Sequence, residues 1–333
     1  MKLATLRDGT RDGRLILVSR DLTRAVVPAG GPRTLQAFLD DWDLNADRLR
    51  AVARDLETGE IDGIFAFDPD AVLAPLPRAF QWLDASGYLN HVELVRRARG
   101  ADMPDDMYRD PIMYQGASDG FLAPREPIPV ADEEAWGTDF EAELIVVLGD
   151  CPMAPDRETA KQAIRLIGLV NDVSLRALIP AEIKKGFGFI HGKPRNALSP
   201  VLVTPDELGD AWDGAKVSLP LTVHLNGALF GNPNTGADLT FDFADLIAHA
   251  AKTRPLAAGT VLGSGTVSNV DPETGCCCLV ERRVREILAT GTATTPFLSY
   301  GDRVEIEMRD KAGQSIFGKI DQVVAPATTG TLR

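Results

Sequence analysis

The sequence predicts a β-rich α+β fold in two units, and three observations carry that reading. Its 333 residues exceed one average domain of roughly 150 residues. Alternating apolar runs bounded by Gly, Asn and Asp recur along the chain, with only a few helical stretches between them. Pro69 and the segment Pro75-Leu76-Pro77 break the pattern early, which places a boundary near residue 75. The expected units are residues 1–75 and 76–333.

Lys2–Arg7 and Arg14–Ser19 read as strands around a segment with two Asp-Gly turn signals. A helix is expected from Thr34 to Leu56, since Leu35, Phe38 and Leu39 recur at helical spacing. Residues 140–148 alternate and then become continuously apolar, as a strand entering a core does. Asp156–Gly168 is expected to be helical, with Ala160, Ala163, Ile164 and Ile167 on one face. Val217, Leu219, Leu221, Val223 and Leu225 alternate strictly before Asn226-Gly227, a strong hairpin signal. Phe243–Lys252 reads as a short helix, residues 303–309 and 315–324 as a hairpin, and the tail from Ala325 as frayed.

Composition narrows the function. Apolar residues make up 44% and charged residues 25%, the balance of a globular chain. A net charge of −13 is the wrong sign for phosphate contacts, so nucleic-acid partners are not expected. The longest clean apolar stretch, near Leu144–Leu148, falls far short of the roughly 18 residues a membrane span needs. The charged start, Met1-Lys2-Leu3-Ala4-Thr5-Leu6-Arg7-Asp8, does not read as a signal peptide. Cys276-Cys277-Cys278 suits neither a disulfide framework nor a zinc spacing; the three read as small buried hydrophobes on a strand. A cytoplasmic setting is expected.

The acidic residues carry the chemistry. On a strand, Glu141 and Glu143 point to the same side. Two buried carboxylates side by side need a cation, and hard oxygen donors suit Mg²⁺, Ca²⁺ or Mn²⁺. Taken alone, the pair also fits an exposed strand face. Asp84 and Asp172 stand among apolar neighbours, as cap residues or as further ligands. His91, seven residues past Asp84, has the ordinary pKa to activate water beside a metal. Ser174-Leu175-Arg176 and His191-Gly192-Lys193-Pro194-Arg195 supply cations for substrate oxygens. Gly263-Ser264-Gly265-Thr266-Val267-Ser268 lacks the phosphate-loop spacing but lets amides approach a small anion. A purely structural calcium site is the rival from another class; it has no use for a histidine so near a ligand.

The order of these pieces resembles the fumarylacetoacetate hydrolase family from residue 1 to about 325. The resemblance rests on Asp84 and His91, Tyr114-Gln115-Gly116, Glu141-x-Glu143, Asn171-Asp172-x-Ser174 with Arg176 four past Asp172, Gly192-Lys193, and Gly263-Ser264-Gly265-Thr266-x-Ser268. It implies a small barrel-like N-terminal domain, a C-terminal mixed β-roll with a few helices, and a homodimer. It implies a divalent cation, Mg²⁺ or Ca²⁺ with Mn²⁺ as a third candidate, held by Asp84, Glu141, Glu143 and Asp172. His91 matches the water-activating base, and Glu281 the acid that orients it. Lys193 and Arg176 match positive groups around substrate oxygens. Tyr114, Thr266, Ser86 and Arg99, with Arg97 as the alternative to Arg99, match substrate contacts. Ser86 stands where the family has an aromatic, and Tyr88 is a substitute for that aromatic. Val173 replaces a tryptophan, Ile179–Ile183 lacks the glutamine and tyrosine of animal-type enzymes, and Asn196-Ala197 replaces a glycine-threonine pair. The implied reaction is hydrolysis of a carbon–carbon bond in a small diketo-acid. Fumarylacetoacetate, cleaved to fumarate and acetoacetate in tyrosine breakdown, is the first expectation. The alternative is hydrolysis of an acylpyruvate, or decarboxylation or isomerisation of a 2-oxo-alkenedioate.

Overall fold

A computed structural model describes residues 1–98 and 100–328. Its main sheet runs Phe65–Ala66, Arg24–Val26, Arg14–Val18, Lys2–Leu6, Leu202–Val203, Ile164–Asn171, Ala142–Leu148, Thr260–Gly263, Gln81–Ala85, Met113–Gln115, with Ala197–Leu198 also pairing Ile164–Asn171. A second sheet runs Ala228–Gly231, Leu221–Leu225, Arg303–Met308, Ile320–Pro326, Ile128–Val130. The chain is therefore α+β and sheet-rich. Among the described residues the path of the main sheet does not close, so the expected N-terminal barrel is instead one wing of an open sheet, joined to the rest where Lys2 and Leu3 pair with Val203 and Leu202. No helix among the described residues is long and apolar enough to cross a membrane.

Local chemistry accounts for most elements. Asn226 (φ 53°) and Gly227 (φ 79°) both take the left-handed conformation that a two-residue hairpin turn requires. The expected helix from Thr34 to Leu56 is two helices, Leu35–Asp40 and Trp42–Thr58, because Asp41 leaves helical geometry at ψ 38°. Thr34 caps the first by accepting from the Ala37 amide.

Three expectations change. The helix begun at Asp156 ends at Ala163, and Ile164–Asn171 is a strand. That strand is buried on both faces, so it lacks the period-2 alternation that marks strands and its isoleucines coincide with helical spacing. Cys276–Cys278 are buried as expected, but they lead into a helix, Leu279–Thr290, rather than lying on a strand. Ala325 and Pro326 complete the strand Ile320–Pro326, which pairs in parallel with Ile128–Val130, so the chain is ordered at the point where fraying was expected to begin.

Candidate metal and acid–base centre

Four neighbouring segments bring the acidic residues together. Asp84 sits on Gln81–Ala85, directly across from Gly263 and from Tyr114 on the flanking strands. Glu143 sits on Ala142–Leu148 opposite Val170, and Asp172 follows the next strand by one residue. The Asp172 amide donates to the Glu141 carbonyl (2.9 Å), so the chain leaving one strand is fastened to the chain entering the other.

The carboxylates form two groups. Oxygens of Asp84, Glu143 and Asp172 lie within 4.8 Å of one another, all buried. Glu141 instead stands with His91 and Cys278. Lys193 Nζ joins the groups: it donates to Glu141 Oε1 (2.7 Å) and also to Asp172 Oδ2.

This arrangement separates the glutamates electrostatically. Burial opposes ionisation of Glu141, but Arg176 and Lys193 outweigh it and hold the carboxyl well below its ordinary range. Glu143 has burial and then the charges of Asp84 and Asp172 against it and is pushed well above its ordinary value. Asp84, buried and facing Asp172, rises to about 8. Asp84 Oδ1 and Glu143 Oε1 are buried without a hydrogen-bond partner among the described residues. Unpartnered oxygen on crowded carboxylates fits a hard divalent cation, which satisfies the lone pairs and removes the repulsion.

The base pair is separate. His91 lies on the helix Leu89–Ala98, which packs against Leu279–Thr290, and its Nδ1 lies 3.1 Å from Glu281 Oε2. Glu281 has a fully buried side chain and accepts two bonds from Arg285, at 3.1 and 2.9 Å. Burial resists its ionisation, but His91 and Arg285 keep it below the ordinary value.

The remaining expected residues take these places. Tyr114 Oη donates to Asp172 Oδ2 (2.8 Å), and its ring lies 5.1 Å from Lys193 Nζ. Thr266 Oγ1 donates to Glu141 Oε2, and the Gly265 amide to Glu143 Oε2 (3.1 Å). The anions that the glycine-rich turn approaches are thus the protein's own glutamates. Arg176 is engaged by the protein's own carboxylates: Nε donates to Asp139 (2.8 Å) and Nη2 lies 3.2 Å from Glu141. Ser86 lies beside the same turn, where its Cα would meet a Cβ on Gly265 at 3.0 Å. Tyr88 cannot replace the missing aromatic, because it is buried and its hydroxyl donates to the Thr235 carbonyl. Arg97 is exposed in the last turn of its helix, and Arg99 lies outside the described residues.

The sequence assigned no role to several supporting groups, although Ser174 and Asn196 lie within the quoted motifs. Asn196 Nδ2 donates to Asp172 Oδ1 (2.6 Å), and Ser174 Oγ to Glu141 Oε1 (2.7 Å). Asp139 is fully buried, binds Arg176 and caps the Glu281 helix through the Leu279 and Val280 amides (2.7 and 3.0 Å). Glu182 accepts from the amides of Ile190, His191 and Gly192 (3.0, 2.9 and 2.9 Å), which fixes the chain just before Lys193. Asn196 stands three residues past Lys193, in the pair that departs from the family's glycine-threonine, and Asp139 stands two before Glu141.

Comparison with known proteins gives a consistent picture. The family model described as fumarylacetoacetate (FAA) hydrolase C-terminal matches residues 81–325, and that described as fumarylacetoacetase N-terminal domain 2 matches residues 1–78. A 2,4-didehydro-3-deoxy-L-rhamnonate hydrolase from Sphingomonas sp. (strain SKA58) is 29% identical over 164 residues, 48% of this chain and 54% of the relative. The match thus spans about half the length of that curated relative. Among solved structures, maleylpyruvate hydrolase from Sphingobium sp. SYK-6, in complex with manganese(II) and pyruvate, aligns with a TM-score of 0.64 at 16% identity, covering 98% of this chain and 100% of that one. A 5-carboxymethyl-2-hydroxymuconate delta-isomerase from Mycobacterium smegmatis aligns with a TM-score of 0.61 at 19% identity, covering 99% and 100%. At those identities the structural likeness speaks for the fold.

Proposed function

The chain belongs to the fumarylacetoacetate hydrolase family, and from that premise we propose that it hydrolyses the carbon–carbon bond between the carbonyls of an acylpyruvate, R–CO–CH₂–CO–COO⁻. Two observations carry the reading together: the carboxylate-backed imidazole of His91, which adjoins Glu141, and the buried group Asp84, Glu143 and Asp172, two of whose oxygens have no partner among the described residues. The choice of an acylpyruvate over fumarylacetoacetate is supported by the similarity to a 2,4-didehydro-3-deoxy-L-rhamnonate hydrolase and to a maleylpyruvate hydrolase. Fumarylacetoacetate has one more methylene between its inner carbonyl and its carboxylate; the chemistry asked of the site is otherwise the same.

Asp84, Glu143 and Asp172, with Glu141 adjoining through Lys193, would hold a divalent cation of the Mg²⁺ or Mn²⁺ type, which supplies Lewis-acid stabilisation of developing enolate charge when bound. His91 takes a proton from water on its free nitrogen, and Glu281 holds the ring and stabilises the resulting imidazolium. Hydroxide adds to the carbonyl remote from the carboxylate. Lys193 presents an ammonium that burial alone would discharge but that Asp172 and Glu141 keep charged, so it can face the oxyanion. Collapse breaks the C–C bond, leaving R–COOH and the enolate of pyruvate, which is protonated at carbon.

The test follows the ultraviolet absorbance of β-diketo acids, acylpyruvates and fumarylacetoacetate alike, in the presence of Mn²⁺. Acylpyruvates should be consumed faster than fumarylacetoacetate, and His91→Ala should abolish turnover while Mn²⁺ binding persists. Faster loss of fumarylacetoacetate would move the enzyme to the other branch. Failure to cleave any dioxo acid would discard the hydrolytic reading.

A further inference from the structure

One sulfur-bearing side chain in this region has no part in hydrolysis. Cys278 is fully buried at the start of the helix Leu279–Thr290 and is bridged through its backbone to Glu141. Its Sγ, a ring nitrogen of His91 and a carboxylate oxygen of Glu141 lie within 4.8 Å of one another. This donor set differs in kind from the neighbouring oxygen cluster. Sulfur, imidazole and one carboxylate are the ligands of a zinc-like ion, whereas three carboxylates suit Mg²⁺ or Mn²⁺.

A second observation points the same way. His91 is already oriented as metal-binding histidines are, with one ring nitrogen held by the buried carboxylate of Glu281 and the lone pair left on the other. Arg285 in turn fixes Glu281. Donors around a tetrahedral ion stand roughly 3.4–3.8 Å apart, so the three side chains need to close by about 1 Å. Arg176 and Lys193, which also contact Glu141, are the cations such an ion would displace from that carboxylate.

We propose that His91, Glu141 and Cys278 form an inhibitory seat for a thiophilic divalent cation, Zn²⁺ or Cd²⁺, with water as fourth ligand. Binding forms bonds from the ion to nitrogen, oxygen and sulfur and releases the thiol proton to solvent, with no change of oxidation state. Inhibition rests on the reading of His91 as the base, since the ion takes the lone pair that would accept the proton of water.

The test is a CdCl₂ titration with Mn²⁺ present throughout, read by the sulfur-to-cadmium charge-transfer band and, separately, by turnover. The wild-type protein should show the band at one equivalent. Cys276→Ser should keep it, and both Cys278→Ser and Cys278→Ala should lose it. Zn²⁺ should inhibit the Cys278 variants at least about tenfold more weakly than wild type. The seat is refuted if wild type shows no band, if both Cys278 variants retain it, or if they are inhibited as strongly as wild type. The band requires no turnover, so it decides the matter even where the hydrolytic reading fails.

Discussion

Adding one methyl group at Gly263 tests whether the three carboxylates form the ion seat. Gly263 lies in register with Asp84 on one side and Ile145 on the other, at the floor of the cluster. A Cβ there would stand 2.5 Å from Asp84 Oδ1, 2.6 Å from Trp82 Cη2 and 3.1 Å from Glu143 Oε2. The first two lie roughly 1 Å inside ordinary contact. Trp82 is 1% exposed and packed edge-on against Phe121, so it has little room to retreat. The carboxylates must move instead, by several times the roughly 0.2 Å tolerance of metal–ligand distances. Overpacking of this kind costs about 1–3 kcal/mol, a fall of a few degrees in Tm for a chain of this length. Mn²⁺ affinity should drop as well, by about 10–100-fold, read by calorimetric titration of Gly263→Ala beside wild type, with near-ultraviolet circular dichroism to check the fold. A folded Gly263→Ala protein that binds Mn²⁺ as tightly as wild type would show that the ion sits elsewhere, and the reasoning from Asp84 and Glu143 would fall with it.

Glu281→Gln should leave Mn²⁺ binding unchanged and cut kcat by about 100-fold or more, because a neutral partner neither orients His91 for proton transfer nor stabilises its cation; equal kcat would remove Glu281 from the mechanism. Chelation of the divalent ion should abolish turnover and lower Tm, and added Mn²⁺ should restore both in a concentration-dependent way. Lys2 titrates far from the site: burial lowers its pKa from 10.5 to about 8. The folded state then carries fewer protons than the unfolded one between pH 8 and 10.5, so stability should rise with pH across that window, by at most about 3 kcal/mol. Lys2→Met should flatten the rise in a pH series of denaturant melts.

How far the sequence discloses such a site depends on whether the information is local. The hairpin at Asn226-Gly227 was legible because its two residues alone prefer the backbone the turn needs. Ile164–Asn171 was not, because a strand covered on both faces carries no alternation to read. The roles of Asp139 and Asn196 were hidden for a different reason: their partners Arg176 and Asp172 lie 37 and 24 residues away, and standing close to Glu141 or Lys193 in the chain does not disclose those partners. The two glutamates show the limit most sharply. Two residues apart in the sequence, Glu141 and Glu143 are equivalent by pattern, and both read as ligands. Packing gives one of them Arg176, Lys193, Ser174 and Thr266, and the other mainly more negative charge. The first is therefore ionised and already satisfied, while the second is the carboxylate that gains most from a cation. Glu143→Gln should accordingly weaken Mn²⁺ binding more than Glu141→Gln does, in the same calorimetric titration. The reverse order would mean that the cation displaces Lys193 and takes Glu141 as its principal ligand, so that the asymmetry of charge in this structure does not survive binding.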